Sequence, residues 1–186
     1  GGIMYQIFPD RFYASGKKKT FVPDDRYITS NWLKQPEYRQ NNGPCSLGND
    51  YYGGDIAGIC EKLPYLEKLG VTCIYLNPIF EAHSNHRYNT ADYMKIDPLL
   101  GDEKDLEKLC REAEKRGISV ILDGVFNHTG RDFFAFQDIK KNRENSRPCT
   151  KIKNRFSRFH LRKCAEKDSI HSKTKPSWML NQLISL

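Results

Sequence analysis

At 186 residues the chain lies within the range of about 100–200 that a single domain with one hydrophobic core usually spans. Its net charge of +7 is uneven: from Arg147 onward there are ten Lys/Arg and two Asp/Glu, so the first 146 residues hold a net of −1. The overall basicity therefore says nothing about the partners of those first residues, and no stretch reaches the roughly 18 consecutive apolar residues of a membrane span.

In chain order, Ile3–Phe8 is a short apolar run closed by Pro9, Asp10 and Arg11, and reads as a buried strand. Residues 12–54 show no sustained period and are rich in Asn, Asp, Pro, Gly and Tyr, which marks a long functional or disordered loop. Ile56, Ile59, Cys60, Leu63, Leu66 and Leu69 follow helical spacing, with Asp55 placed to cap the start and Gly70 just past the end. Pro64 should split that run into two turns of helix, because its ring removes a donor and clashes one turn back. Val71–Leu76 is continuous and β-branched, as in a strand buried on both faces. Asn77–Leu100 is a long polar and aromatic loop. Asp102 then caps a helix whose apolar stripe is Leu106, Leu109, Cys110 and Ala113 and whose stop is Gly117. Ile118–Leu122 is a further buried strand ending at Asp123.

Continuous apolar strands alternating with amphipathic helices imply a parallel α/β sheet. The long loops all follow strands and the short turns all follow helices, the asymmetry of a (β/α)8 barrel enzyme. A complete barrel takes about 250 residues, so three strands would make this a truncated one. The rival, a doubly wound nucleotide-binding sheet, wants a glycine-rich turn after its first strand, and Pro9-Asp10-Arg11-Phe12 is not one.

Six cysteines show no CxxC pair and no zinc-type spacing with histidine. Cys60, Cys73 and Cys110 fall at apolar positions and Cys45, Cys149 and Cys164 in polar ones. Buried free thiols suit a reducing compartment, and with no leader visible a cytoplasmic location is expected.

The chemistry concentrates after the second and third strands. Asp123-Gly124-Val125-Phe126-Asn127-His128 follows a strand directly, a pattern that a simple turn also explains. Asn85-His86-Arg87-Tyr88-Asn89-Thr90-Ala91-Asp92-Tyr93 in the neighbouring loop adds another histidine, tyrosines and a carboxylate, which favours a polyol or sugar site. An aromatic content of 12% suits ring stacking on such a ligand.

Five motifs carry a resemblance. They are Tyr5-Gln6-Ile7-Phe8-Pro9-Asp10-Arg11-Phe12, Tyr52-Gly53-Gly54-Asp55, the run Gly70 to Phe80, His86 to Tyr93, and Asp123 to His128. In this order they resemble the α-amylase superfamily of glycoside hydrolases, most closely its neopullulanase, cyclomaltodextrinase and maltogenic amylase branch. The resemblance covers residues 3–146 and implies the first part of a (β/α)8 catalytic barrel acting on maltodextrin, cyclodextrin or pullulan-type α-glucans by retaining cleavage of α-1,4 or α-1,6 glucosidic bonds. It implies that Tyr88 stacks under the sugar ring that is cleaved, that His86 and His128 line the same subsite, and that Asp123 supports its centre. It also implies calcium, held through Asn127 in one place and through Gly53 and Asp55 with an Asn/Asp-rich loop in another. Here that loop reads Tyr13-Ala14-Ser15-Gly16-Lys17-Lys18-Lys19, and three lysines oppose a cation that wants six to eight oxygens.

The family's nucleophile Asp and acid/base Glu lie on later strands, and no counterpart is present. After Asn127 the acidic residues are Asp132, Asp138, Glu144, Glu166 and Asp168, and none follows an apolar strand. The chain thus divides into a partial catalytic barrel over residues 1–146 and a basic segment over 147–186 that is unlike the family. Two readings of that segment stay open: a disordered tail, or a change of reading frame near Ser146. Expected functions are an α-glucan hydrolase fragment inactive alone, or a non-catalytic α-glucan-binding or vestigial module. Nucleic-acid binding through the tail ranks below both, since no such motif is present. Open sheet edges are expected to favour self-association.

Overall fold

The computed structural model describes residues 1–19, 21–36 and 48–146. Cys45, Cys149 and Cys164, the basic segment from Arg147 and any nucleic-acid role of that segment lie outside the described residues.

Three strands form the central sheet: β1 (Ile3–Ile7), β4 (Val71–Leu76) and β7 (Ser119–Leu122), in the order β1-β4-β7 and all parallel. Their C-terminal ends are level, with Ile7 paired to Leu76 and Leu76 to Leu122. The ladder runs one step further, Asn77 N donating to Ile7 O (2.9 Å) and Asp123 N to Leu76 O (3.0 Å). Three long loops therefore leave one edge of the sheet at the same height.

The returning helices lie between strands. α1 (Ile56–Glu61) starts at Asp55, whose carboxylate accepts from Gly58 N at 2.7 Å, and α2 (Leu63–Lys68) starts afresh with Pro64 in its first turn. α3 (Glu103–Glu114) is capped by Asp102, which accepts from Asp105 N at 2.9 Å. Gly70 (φ 78°) and Gly117 (φ 67°) end α2 and α3 in the left-handed region that a residue with a Cβ avoids. These features match the expectation from spacing.

Register places Tyr5, Ile7, Ile74, Leu76 and Val120 on one face of the sheet. That face packs on Ile56, Ile59, Leu63, Leu66, Leu109 and Ala113 to make the core. The opposite face carries Met4, Gln6, Cys73, Tyr75, Ser119 and Ile121, of which Cys73 and Tyr75 are half-buried and the others exposed. This corrects the expected double-sided burial. In β4 only Val71, Ile74 and Leu76 are buried, and β7 is largely exposed, with Ile121 at 41% and Leu122 at 37%. The expectation of buried thiols is corrected too. Cys110 is exposed at the margin of the α3 stripe, and Cys60 and Cys73 are half-buried.

The loops contain more structure than their composition indicates. The first holds a two-residue parallel pair, β2 (Tyr27–Ile28) with β3 (Asp50–Tyr51). The second, read from the sequence as a long polar and aromatic loop, is built on an antiparallel hairpin of β5 (Phe80–Ala82) and β6 (Thr90–Ile96). The third leads into α4 (Phe134–Asn142). Among the described residues no helix is long and apolar enough to cross a membrane.

Candidate functional site

The site is a wall built by the three loops, and its foundation is a set of buried ionic groups. Asp10, just past β1, is 1% exposed and accepts from Tyr52 N (3.0 Å), Gly53 N (3.2 Å) and Arg11 Nε (3.1 Å). Burial raises its pKa; the two backbone donors, Arg87 and Arg11 work against that rise. Arg11 also reaches Asp50 Oδ2 (3.2 Å) and lies 4.2 Å over the Tyr52 ring. Asn85 Nδ2 donates to the Asp50 carbonyl (2.9 Å), which ties the second loop to the first.

Arg87 is fully buried and adopts a positive φ of 59°, uncommon for a residue with a Cβ. Its Nη1 donates to Asn85 O (2.6 Å), and its Nε sits 3.0 Å from Asp97 Oδ2, a close charge contact whose N–H is not aimed at the oxygen. Tyr51 lies beside it, also buried, and burial pushes its phenol up to about 12. The left-handed turn at Arg87 sends its own side chain inward, while its neighbours His86 and Tyr88 are only half-buried.

His86 and Tyr88 have rings 5.9 Å apart and tilted by 32°. Tyr88 N donates to His86 Nδ1 (3.1 Å), so in the neutral ring the proton is on Nε2. Burial, and then the Arg87 charge, lower the His86 pKa. The neutral imidazole is therefore favoured, with Nε2–H as its available donor.

Asp123 stands at the end of β7, and Tyr88 Oη donates to its Oδ2 at 3.0 Å. The Tyr75 hydroxyl from β4 faces the same carboxylate, whose interaction raises the Tyr75 pKa. Tyr93 on β6 reaches the carbonyls of Val125 (2.5 Å) and His128 (3.1 Å), and its ring stacks on Phe126 at 6.2 Å. Gly130 N donates to Thr90 O at 2.7 Å, sealing the second loop against the third. Thus Tyr88, His86 and Asp123 come together, and His128 is held nearby through its backbone.

The sequence assigns no role to Tyr75, Tyr93, Asp10, Arg87 or Asp97, although all but Asp97 lie within its motifs. For Tyr75 there was a signal: strand alternation puts it on the open face of β4, beside the face that Ile121 and Asp123 share.

The positions implied for calcium are separate. Asn127 is exposed. Gly53 is buried against Ile28, and its N–H is spent on Asp10. Both oxygens of Asp55 are engaged: Oδ1 by Gly58 N (2.7 Å) and Ser15 N (3.3 Å), Oδ2 by Ser15 Oγ (2.9 Å) and Lys19 Nζ (2.6 Å). Among the described residues no three His, Cys, Asp or Glu side chains are grouped to hold a metal ion.

A parallel sheet with long loops converging at its C-terminal edge, and a tyrosine, two histidines and a carboxylate in those loops, have the arrangement of a barrel-type α/β domain. The chain belongs to the alpha-amylase family, whose catalytic-domain model matches residues 6–181. That range extends past Arg147, into the segment that sequence reasoning sets apart. The chain is similar to the amylopullulanase of Thermoanaerobacterium saccharolyticum, with 49% identity over 153 residues, covering 76% of this chain and 12% of that protein. It is 46% identical over 145 residues to neopullulanase 2 of Thermoactinomyces vulgaris, covering 78% of this chain and 23% of that one. Its fold superposes on the type III pullulan hydrolase from Thermococcus kodakarensis with a TM-score of 0.67 and 41% identity, over 80% of this chain and 27% of the other. The chain thus spans less than a third of the length of each.

Proposed function

We propose that this chain forms one wall of an α-glucan subsite and binds maltodextrin, cyclodextrin or pullulan-type oligosaccharides without cleaving them by itself. The observation that carries this reading is the Tyr88–Asp123 hydrogen bond at 3.0 Å, which joins an aromatic platform to a carboxylate from a different strand. A hexose offers an apolar C–H face and a rim of hydroxyls. The half-buried Tyr88 ring suits the face; His86 Nε2–H, Asp123 and His128 suit the rim. Tyr75 and Tyr93 act through these groups, Tyr75 from beside Asp123 and Tyr93 by holding the backbone from Val125 to His128.

Retaining cleavage of α-1,4 or α-1,6 bonds needs two carboxyl groups about 5–5.5 Å apart, one attacking and one protonating the leaving oxygen. Asp132 precedes α4 and Asp138 lies within it, away from the strand ends where Asp123 stands. No described acidic residue other than Asp123 follows a strand of the central sheet directly, so the chain supplies binding and orientation, and hydrolysis needs groups it does not place there. Calorimetric titration with maltotetraose and β-cyclodextrin, run beside a reducing-sugar assay, tests this. Binding without sugar release is expected. Release proportional to this chain would overturn the inactivity, and no binding would overturn the subsite.

A further inference from the structure

We propose that the ammonium group of Lys19 is a built-in cation that takes the place of a divalent metal at Asp55 and makes this corner of the fold independent of calcium. A carboxylate offers about four lone-pair positions, and in Asp55 all four go to protein donors: Gly58 N, Ser15 N, Ser15 Oγ and Lys19 Nζ. The Lys19 contact is the shortest of the four, at 2.6 Å, and its side chain is 14% exposed while that of Asp55 is 4% exposed. A lysine so deeply placed is not a solvated surface charge.

The chemistry of the donor set decides against calcium. That ion takes six to eight oxygens at 2.3–2.6 Å, mostly from carboxylates and carbonyls. Loop 13–19 brings two more lysines, Lys17 and Lys18, and no acid. Its one aliphatic hydroxyl, Ser15, is committed to Asp55. An ammonium needs only a few acceptors and carries its charge on the chain itself. The position is also mechanical. Asp55 caps α1, its backbone N donates to Tyr13 O (3.1 Å), and it holds both Ser15 and Lys19, so one carboxylate pins loop 13–19 to the first helix. Lys17 makes a contact of equal length with Asp105 but is 60% exposed, which provides an internal comparison.

The test is thermal unfolding of the full chain in millimolar calcium chloride and in EDTA, for the unsubstituted chain and for Lys19→Met, Lys19→Arg and Lys17→Met. Calcium and EDTA should give the same midpoint for the unsubstituted chain. Lys19→Met should unfold lower in both, by at least the roughly 2–4 °C that a modest loss produces in a chain of this size. Lys19→Arg should recover most of the difference, and Lys17→Met should change little, as exposed pairs do. A calcium-dependent rise in the unsubstituted chain that disappears in Asp55→Asn would overturn the proposal. So would a Lys19→Met midpoint equal to the unsubstituted one. Should Lys19→Met not fold, the calcium comparison and Lys19→Arg still decide: a folded Arg variant near the original midpoint supports the cation, and one that also fails to fold overturns it.

Discussion

Tyr88 and Asp123 belong to different loops, 35 residues apart, and the phenol donates to the carboxylate at 3.0 Å. The bond ties the ring to the end of β7, and the ring stays half-buried. Two substitutions separate its parts. Tyr88→Phe keeps the ring and loses a hydrogen bond worth about 0.5–1.5 kcal/mol, so affinity for β-cyclodextrin should fall by less than tenfold. Tyr88→Ala removes the ring as well, and affinity should fall about tenfold or more. Titration calorimetry reads both. Equal affinities for the Ala variant and the unsubstituted chain would remove Tyr88 from the site.

The site has a pH dependence whose sign follows from His86. Burial and Arg87 set its folded pKa below the ordinary value of about 6.5. As pH falls, the unfolded chain therefore takes up the proton first, and stability falls with it. The contribution is complete above the unfolded value and is lost as pH drops through the depressed folded value. Midpoints of urea unfolding measured from pH 7.5 downward should show this loss, and His86→Gln should flatten that part of the curve. An unchanged slope in the variant would assign the acid sensitivity to other groups.

What the sequence makes legible is local. Asp55 and Asp102 cap helices because their carboxylates reach a backbone N–H three residues on, and Gly70 and Gly117 stop helices because φ must turn positive there. Each of these needs only neighbours in the chain. The order of motifs also placed Tyr88, His86, Asp123 and His128 at one edge. What stayed hidden depends on long-range partners. Asp10 shows in the sequence only as part of the close of the first strand, and its partners Tyr52 and Gly53 arrive from 42 and 43 residues away; Arg87 stands in a polar loop run, and its partners Asp97 and Tyr51 come from other segments. β7 reads as buried because Val120, Ile121 and Leu122 are apolar, yet exposure depends on what lies opposite, which the strand itself does not encode.

The Arg87–Asp97 pair should be costly to break and cheaper to replace. Both side chains are essentially inaccessible, and Arg87→Met leaves Asp97 as a buried charge without its partner, a loss of about 3–5 kcal/mol. The double substitution Arg87→Met with Asp97→Leu removes both charges and should recover part of that loss. Urea denaturation measures the cycle. A double variant less stable than either single one would contradict the account of an uncompensated charge.

Gly130 lies where the second and third loops touch. A Cβ built there would stand 2.2 Å from Asn89 O, backbone that cannot yield like the tip of a side chain. Gly130→Ala should therefore push apart the contact with Thr90 and, through it, the setting of Tyr93 against His128. The expected result is weaker glucan binding with a smaller effect on global unfolding, because the core under α1, α2 and α3 is remote from this contact. Binding at the original affinity would show that the two loops hold their relation without it.

The sheet leaves a face of mixed character, exposed or half-buried, and two unpaired strand edges among the described residues. Ile3 is 54% exposed and Met4 59% on β1, and Ile121 and Leu122 are exposed on β7. Unpaired N–H and C=O groups beside exposed apolar side chains are a template for pairing with another copy. The chain should therefore sediment as a concentration-dependent mixture of species. A charge on the exposed β7 side chain blunts such pairing, so Ile121→Lys should shift the mixture toward monomer without lowering the thermal midpoint much, since Ile121 faces away from the core. A sharp monomer for the unsubstituted chain at all concentrations would show that this face does not associate.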